Sequence, residues 1–208
     1  SYLTRVVSPG GFGIYSDLYL YVAVILLLLT FRMETTYFRY AKEDRPAVTA
    51  MSMTFLTFFA GLFFLLVLVF RNEVAIWMEY PNMTTHILML GGVLFFDTMI
   101  AVPFANLRQQ NRPIRFLVLK LGSIFLNIAL VLFFVELLPW LATKNIWRAQ
   151  WFHQEDIIFY VILSNLLSSA ITFAMLLPLM RHQPLRWDWG FLKKMLGYSW
   201  PLVIVGFA

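Results

Sequence analysis

Apolar residues run through this chain in stretches too long and too uniform for the alternating faces of a soluble domain. The first runs from Gly13 to Tyr40, and others cover Ala47–Phe70, Thr85–Leu107, Ile114–Leu138 and Ile157–Met180. A sixth begins near Leu192 and reaches Ala208, too short to span. About 20 residues at 1.5 Å each cross the ~30 Å hydrocarbon core of a bilayer. The pattern therefore predicts an all-α polytopic membrane protein in one domain. It has five full spans, at 13–40, 47–70, 85–107, 114–138 and 157–180, and the start of a sixth at 192–208. Proline and charge punctuate the gaps, as in "KEDRP", "RQQNRP" and "RHQPLRWDWG". Pro103 and Pro178 lie near span ends, where a lost backbone bond costs least.

Charge gives the spans a direction. The first loop carries Arg32, Arg39, Lys42 and Arg45; the third carries Arg108, Arg112 and Arg115, with Lys120 just beyond. Arg181, Arg186, Lys193 and Lys194 follow in the fifth, whereas the opposite side has Arg5, Arg71, Lys144 and Arg148. Positive loops stay in the cytoplasm, so the first, third and fifth loops are read as inside and the N-terminus as outside. Trp140, Trp147 and Trp151 then fall at the outer interface. The net charge of +5 is thereby assigned to cytoplasmic loops, with no nucleic-acid partner expected. The chain starts without Met and stops inside an apolar run, and is read as a fragment of a larger protein.

Candidate chemistry lies in the few polar residues inside the spans. "LLTFRMETTYFRYAKEDRP" carries charge within an apparently continuous helix, placing Arg32, Thr36 and Arg39 at i, i+4 and i+7 on one face. Glu34 falls about 200° round from Arg32, too far to pair on the same helix. Two readings are open: headgroup anchors that snorkel, or a cationic face that grips a diphosphate through paired guanidinium hydrogen bonds. Asp97 stands about 16 Å along its helix from Arg108, at a depth where ionisation costs ~2.5 kcal/mol or more, so a partner or an ion-coupling role is expected. Asn127 and the stripe Ser164, Asn165, Ser168, Ser169 and Thr172 fall in the same midplane layer, where interhelical hydrogen bonding is the alternative to substrate contact.

Enzymatic signatures are thin. Cysteine is absent, and His86, His153 and His182 show no ligand spacing. "HQED" at His153–Asp156 has the residue types of a metal or acid–base site but the setting of a solvated loop, and Asn82-Met83-Thr84 is an isolated sequon. No catalytic residue, metal or cofactor is expected.

One resemblance covers nearly the whole chain. Ser8-Pro9-Gly10-Gly11-Phe12-Gly13, "RMETTYFRYA", "FDTMIAVPFANLRQQNRPIRF" and "LGYSWPLVIVGFA" resemble the Wzx-type polysaccharide flippases of the multidrug/oligosaccharidyl-lipid/polysaccharide flippase superfamily, in a Bacteroidetes-like branch. Arg32 stands where that pattern has Gly. The resemblance implies a partial N-terminal lobe of a two-lobe transporter in the bacterial inner membrane, with the C-terminal half of the same chain missing. It implies transfer of an undecaprenyl diphosphate-linked oligosaccharide to the periplasmic leaflet; the helix positions read above offer Arg32, Glu34, Thr36, Arg39, Asn127 and Asn165 as its substrate contacts, with no family role carried over to Arg32. Asp97 would be the ion-coupling or counter-ion group, for an ion (proton or sodium) left open. A cation-coupled multidrug exporter of the same superfamily is the alternative, ahead of a glycan ligase or polymerase.

Overall fold

The structure, a computed structural model, describes residues 9–110, 113–143, 157–180 and 187–206. Its helices are α1 (Pro9–Thr30), α2 (Met33–Tyr40), α3 (Arg45–Val69), α4 (Arg71–Trp77), α5 (Thr84–Gln109), α6 (Pro113–Leu132), α7 (Leu138–Thr143), α8 (Ile157–Met180) and α9 (Trp189–Val205). A 3-10 turn at Pro81–Met83 leads into α5, and a π turn at Phe133–Leu137 joins α6 to α7. No strand occurs among the described residues. Five stretches are long and apolar enough to cross a bilayer: Gly10–Tyr40, Arg45–Val69, Pro81–Gln109, Ile114–Leu141 and Ile157–Met180. The protein is an all-α, multi-pass membrane protein, and these stretches fall within a few residues of the spans expected from the sequence. The sixth apolar run corresponds to α9, which begins at Trp189, just ahead of Leu192. His153–Asp156, Trp147 and Trp151 lie outside the described residues.

Helix ends follow from local chemistry. Asp44 caps α3 by accepting from the Ala47 N–H at 3.2 Å, with Pro46 in the first turn. Asp188 caps α9 in the same way, through the Phe191 N–H at 3.1 Å.

The bundle is organised around α5, which packs against α3 on one side and α8 on the other. Two small residues allow this close approach. A Cβ at Gly91 would lie 2.9 Å from Val67 Cγ1, and one at Gly92 would lie 2.8 Å from Leu166 Cδ1. Around this axis Leu18, Leu90, Leu94 and Ile162 form one core, and Met33, Tyr37, Leu56 and Met195 another.

The first helix is not continuous through Arg32. It ends at Thr30; Phe31 and Arg32 take left-handed backbone conformations (φ 48° and 49°), and a new helix starts at Met33. Nothing in the local sequence is a helix breaker, so the cause is tertiary. Phe31 stacks on Trp200 of α9 at 6.0 Å and meets Phe55 of α3 edge-on at 6.1 Å. The Arg32 guanidinium lies against Gly206, where an added Cβ would sit 2.7 Å from its Nη2. A side chain in the left-handed region costs about 1–2 kcal/mol per residue, so these contacts must outweigh it.

Candidate functional site

The break and the central helix together enclose a cavity of about 620 Å³ among α1, α2, α5 and α6. On α5 its wall is Asp97, Ala101, Phe104 and Arg108, which recur at i, i+4, i+7 and i+11 on one helical face. Phe116 and Lys120, four apart, supply the α6 wall, while Thr30, Arg32 and Glu34 come from the region of the break. The lining thus holds three cationic and two anionic side chains amid apolar surface.

Arg108 is the best-held of the cations. It donates to the Glu34 carboxylate across the cavity, and its guanidinium carbon lies 5.1 Å from the ring centres of both Phe38 and Phe116. Such cation–π contacts are worth about 0.5–1 kcal/mol where water has access. The pair is not sealed off, since the Arg108 and Glu34 side chains remain 39% and 41% exposed. Lys120 reaches over the Phe104 ring at 5.4 Å. Arg32 is exposed to the cavity from the break itself.

Asp97 is half-buried at the inner end of this cavity and accepts a hydrogen bond from Ser169 Oγ at 2.7 Å. Beyond it a second cavity of about 250 Å³ shares Asp97, Ile100 and Lys120 and adds Ser123, Asn127, Ser168, Ser169 and Thr172. Most polar groups there have protein partners already. Thr172 donates to the Ser168 carbonyl at 2.8 Å, and Ser168 to the Ser123 carbonyl at 3.1 Å. Asn127 donates to Asn165, which in turn donates to the Tyr19 hydroxyl, tying α6, α8 and α1 together.

The residues expected from the sequence are therefore divided. Arg32, Glu34 and Asp97 line the larger cavity, and Asn127 lines the smaller one. Asn165 lines neither and serves as the bridge between Asn127 and Tyr19. The shared face of Arg32, Thr36 and Arg39 does not exist, because the chain breaks at Arg32. Thr36 is fully buried and bonded to Ser199 Oγ at 2.5 Å, so it is unavailable to a ligand. Arg39 is exposed on a different side, over the Tyr198 ring at 4.6 Å. Glu34 finds its partner on α5, not on its own helix.

Arg108 and Lys120 were not anticipated as site residues, since loop counting enters them only as cytoplasmic charge. A periodic signal was present for both. Arg108 shares the i, i+4, i+7, i+11 stripe with Asp97, and Lys120 lies on the α6 face of Phe116 and Asn127. Among the described residues no group of three or more His, Asp or Glu is arranged to hold a metal. Compared with protein-family models, curated proteins and solved structures, the chain has no match.

Proposed function

We propose that this protein is part of a flippase that carries lipid-diphosphate-linked oligosaccharide, of the undecaprenyl type, from the cytoplasmic to the periplasmic leaflet of a bacterial inner membrane. The observation that carries the reading is the cavity in which Arg32, Arg108 and Lys120 converge inside an apolar bundle. Guanidinium groups suit a diphosphate because their planar fork donates paired hydrogen bonds to phosphate oxygens. The Lys/Arg-rich loops support a cytoplasmic position for this end of the bundle, where such a lipid would be loaded.

In this reading Arg108, steadied by Phe38 and Phe116, grips the diphosphate, and Arg32 and Lys120 flank it. The prenyl chain stays in the bilayer along the exposed apolar surface of α6, at Leu117, Leu121 and Phe125. The first sugars extend inward toward Asp97, which serves as counter-charge or coupling site. Alternating access needs a second lobe to rock against this one, with the site near their interface.

Transfer of a fluorescent prenyl-diphosphate sugar between leaflets of proteoliposomes holding the full-length protein tests the proposal. Protein-dependent transfer that Arg108→Ala reduces at least tenfold is expected; transfer indifferent to that change would overturn it. The second reading, a cation-coupled exporter, is favoured by one observation: Glu34 and Asp97 place two carboxylates in the same cavity. It predicts that an organic cation is moved and a lipid diphosphate is not.

A further inference from the structure

The Glu34–Arg108 pair conflicts with the simplest picture of an anion site, because the cation best placed to hold a diphosphate already holds a carboxylate. We propose that Glu34 is a built-in competitor: its carboxylate occupies the place on Arg108 that an incoming phosphate takes, and anion binding displaces it. This inference rests on the reading of the larger cavity as a phosphate site.

The surroundings of the two residues differ in a way that favours exchange. Arg108 has contacts besides Glu34: the Phe38 and Phe116 rings both lie 5.1 Å from its guanidinium carbon. Those rings would keep its fork aimed at the cavity were the carboxylate to leave. Glu34 sits in the first turn of α2, whose backbone is firmly anchored. Thr36 bonds Ser199, and the Tyr37 hydroxyl is 3.0 Å from both Thr49 Oγ1 and Asn106 Oδ1. Release is thus a matter of Glu34 side-chain torsions alone, with no helix movement. The pair is also accessible, with both side chains about two-fifths exposed, so a ligand can reach it and its intrinsic strength is modest.

A tethered carboxylate acts as a resident ligand at an effective concentration that a free one rarely reaches. It raises the affinity any anion needs to occupy Arg108. Phosphodiester headgroups, singly charged and abundant in a bacterial membrane, fall below that threshold. A diphosphate carries more charge and also reaches Arg32 and Lys120, so it passes. Glu34 would then keep ordinary anionic lipids from filling the cavity without a dedicated gate.

The test uses purified full-length protein in neutral detergent, titrated calorimetrically with a short-chain prenyl diphosphate, short-chain phosphatidylglycerol and inorganic pyrophosphate. Glu34→Gln should tighten prenyl diphosphate and phosphatidylglycerol by up to about fivefold, the equivalent of the ~1 kcal/mol upper value for an exposed pair. In an Arg108→Ala background the same substitution should have no effect, as a double-mutant cycle requires of a direct pair. Glu34→Asp, which retracts the carboxylate by one methylene, should act in the same direction more weakly, and decides the matter if the Gln form does not fold. Unchanged or weaker binding would make Glu34 a strut and overturn the proposal. Equal tightening with and without Arg108 would overturn it too, by assigning the effect to the general field of the cavity. If Arg108→Ala alone leaves diphosphate affinity intact, the phosphate-site reading falls instead. Pyrophosphate that binds as tightly as the prenyl compound and is equally tightened by Glu34→Gln would support Glu34 as a competitor while removing the lipid from the proposed function.

Discussion

The spans Pro81–Gln109 and Ile114–Leu141 have nearly the same length and similar apolarity, yet in an 18-residue apolar stretch of each, 67% of the residues are buried in the first and 6% in the second. The first contains α5 and the second α6. In a membrane, apolar character records only that a helix avoids water, because lipid and protein interior are alike in that respect. The two helices differ in what their glycines meet. Gly91 and Gly92 let α5 sink between α3 and α8, whereas an added Cβ at Gly122 of α6 would meet nothing within 4 Å. The polar residues divide along the same line. α5 carries Asp97 and Arg108 into the cavity wall, and α6 contributes Lys120 and Asn127 from a helix otherwise largely turned outward.

The comparison is broken most directly through the glycines. Gly92→Leu should wedge α5 from α8 and cost about 1–3 kcal/mol, typical of overpacking, with low recovery of folded protein. Gly122→Leu should change nothing measurable in thermal unfolding. Comparable losses at both positions would mean that α6 has a packed partner on that face. Next in size, Asp97→Asn should leave the protein folded and inserted while reducing transport per molecule about tenfold, or ~1.4 kcal/mol on the barrier. Normal export by that variant would reduce Asp97 to a hydrogen-bonding partner of Ser169. The smallest effect belongs to the bridge between helices. Asn165→Leu should lower stability by about 0.6 kcal/mol, the average for hydrogen bonds between membrane helices, and leave ligand affinity unchanged. A specific loss of affinity would return Asn165 to the substrate contacts.

The spans were legible in the sequence because each is a run of about 20 apolar residues closed by proline and charge. Asp97 was legible for a related reason: a carboxylate inside such a run needs an explanation wherever it points. The surroundings of the opening charges were not. Reading Arg32, Thr36 and Arg39 as one face assumed an unbroken helix, and the break depends on Trp200 and Gly206, far away in the chain. Arg108 was hidden in a different way. Its partner Glu34 lies on another span, and a count of loop charges treats all arginines alike. Periodicity along α5 would have linked it to Asp97, but periodicity is a weak guide where every face of a helix is apolar.

The break at Phe31 and Arg32 has a mechanical consequence. Two ordinary residues held in left-handed conformations store strain of about 1–2 kcal/mol each, and their local sequence contains nothing that prefers the bent form. The bend is maintained from outside, by the ring of Trp200 on Phe31 and the close fit of Arg32 to Gly206. It behaves as a loaded spring with its catch on α9. If α9 withdraws, the stored strain favours straightening, and each left-handed residue that becomes helical turns the following segment about the axis. Glu34 lies just beyond the spring, so withdrawal of α9, which would also free Thr36 from Ser199, would re-aim the Glu34 carboxylate at the cavity.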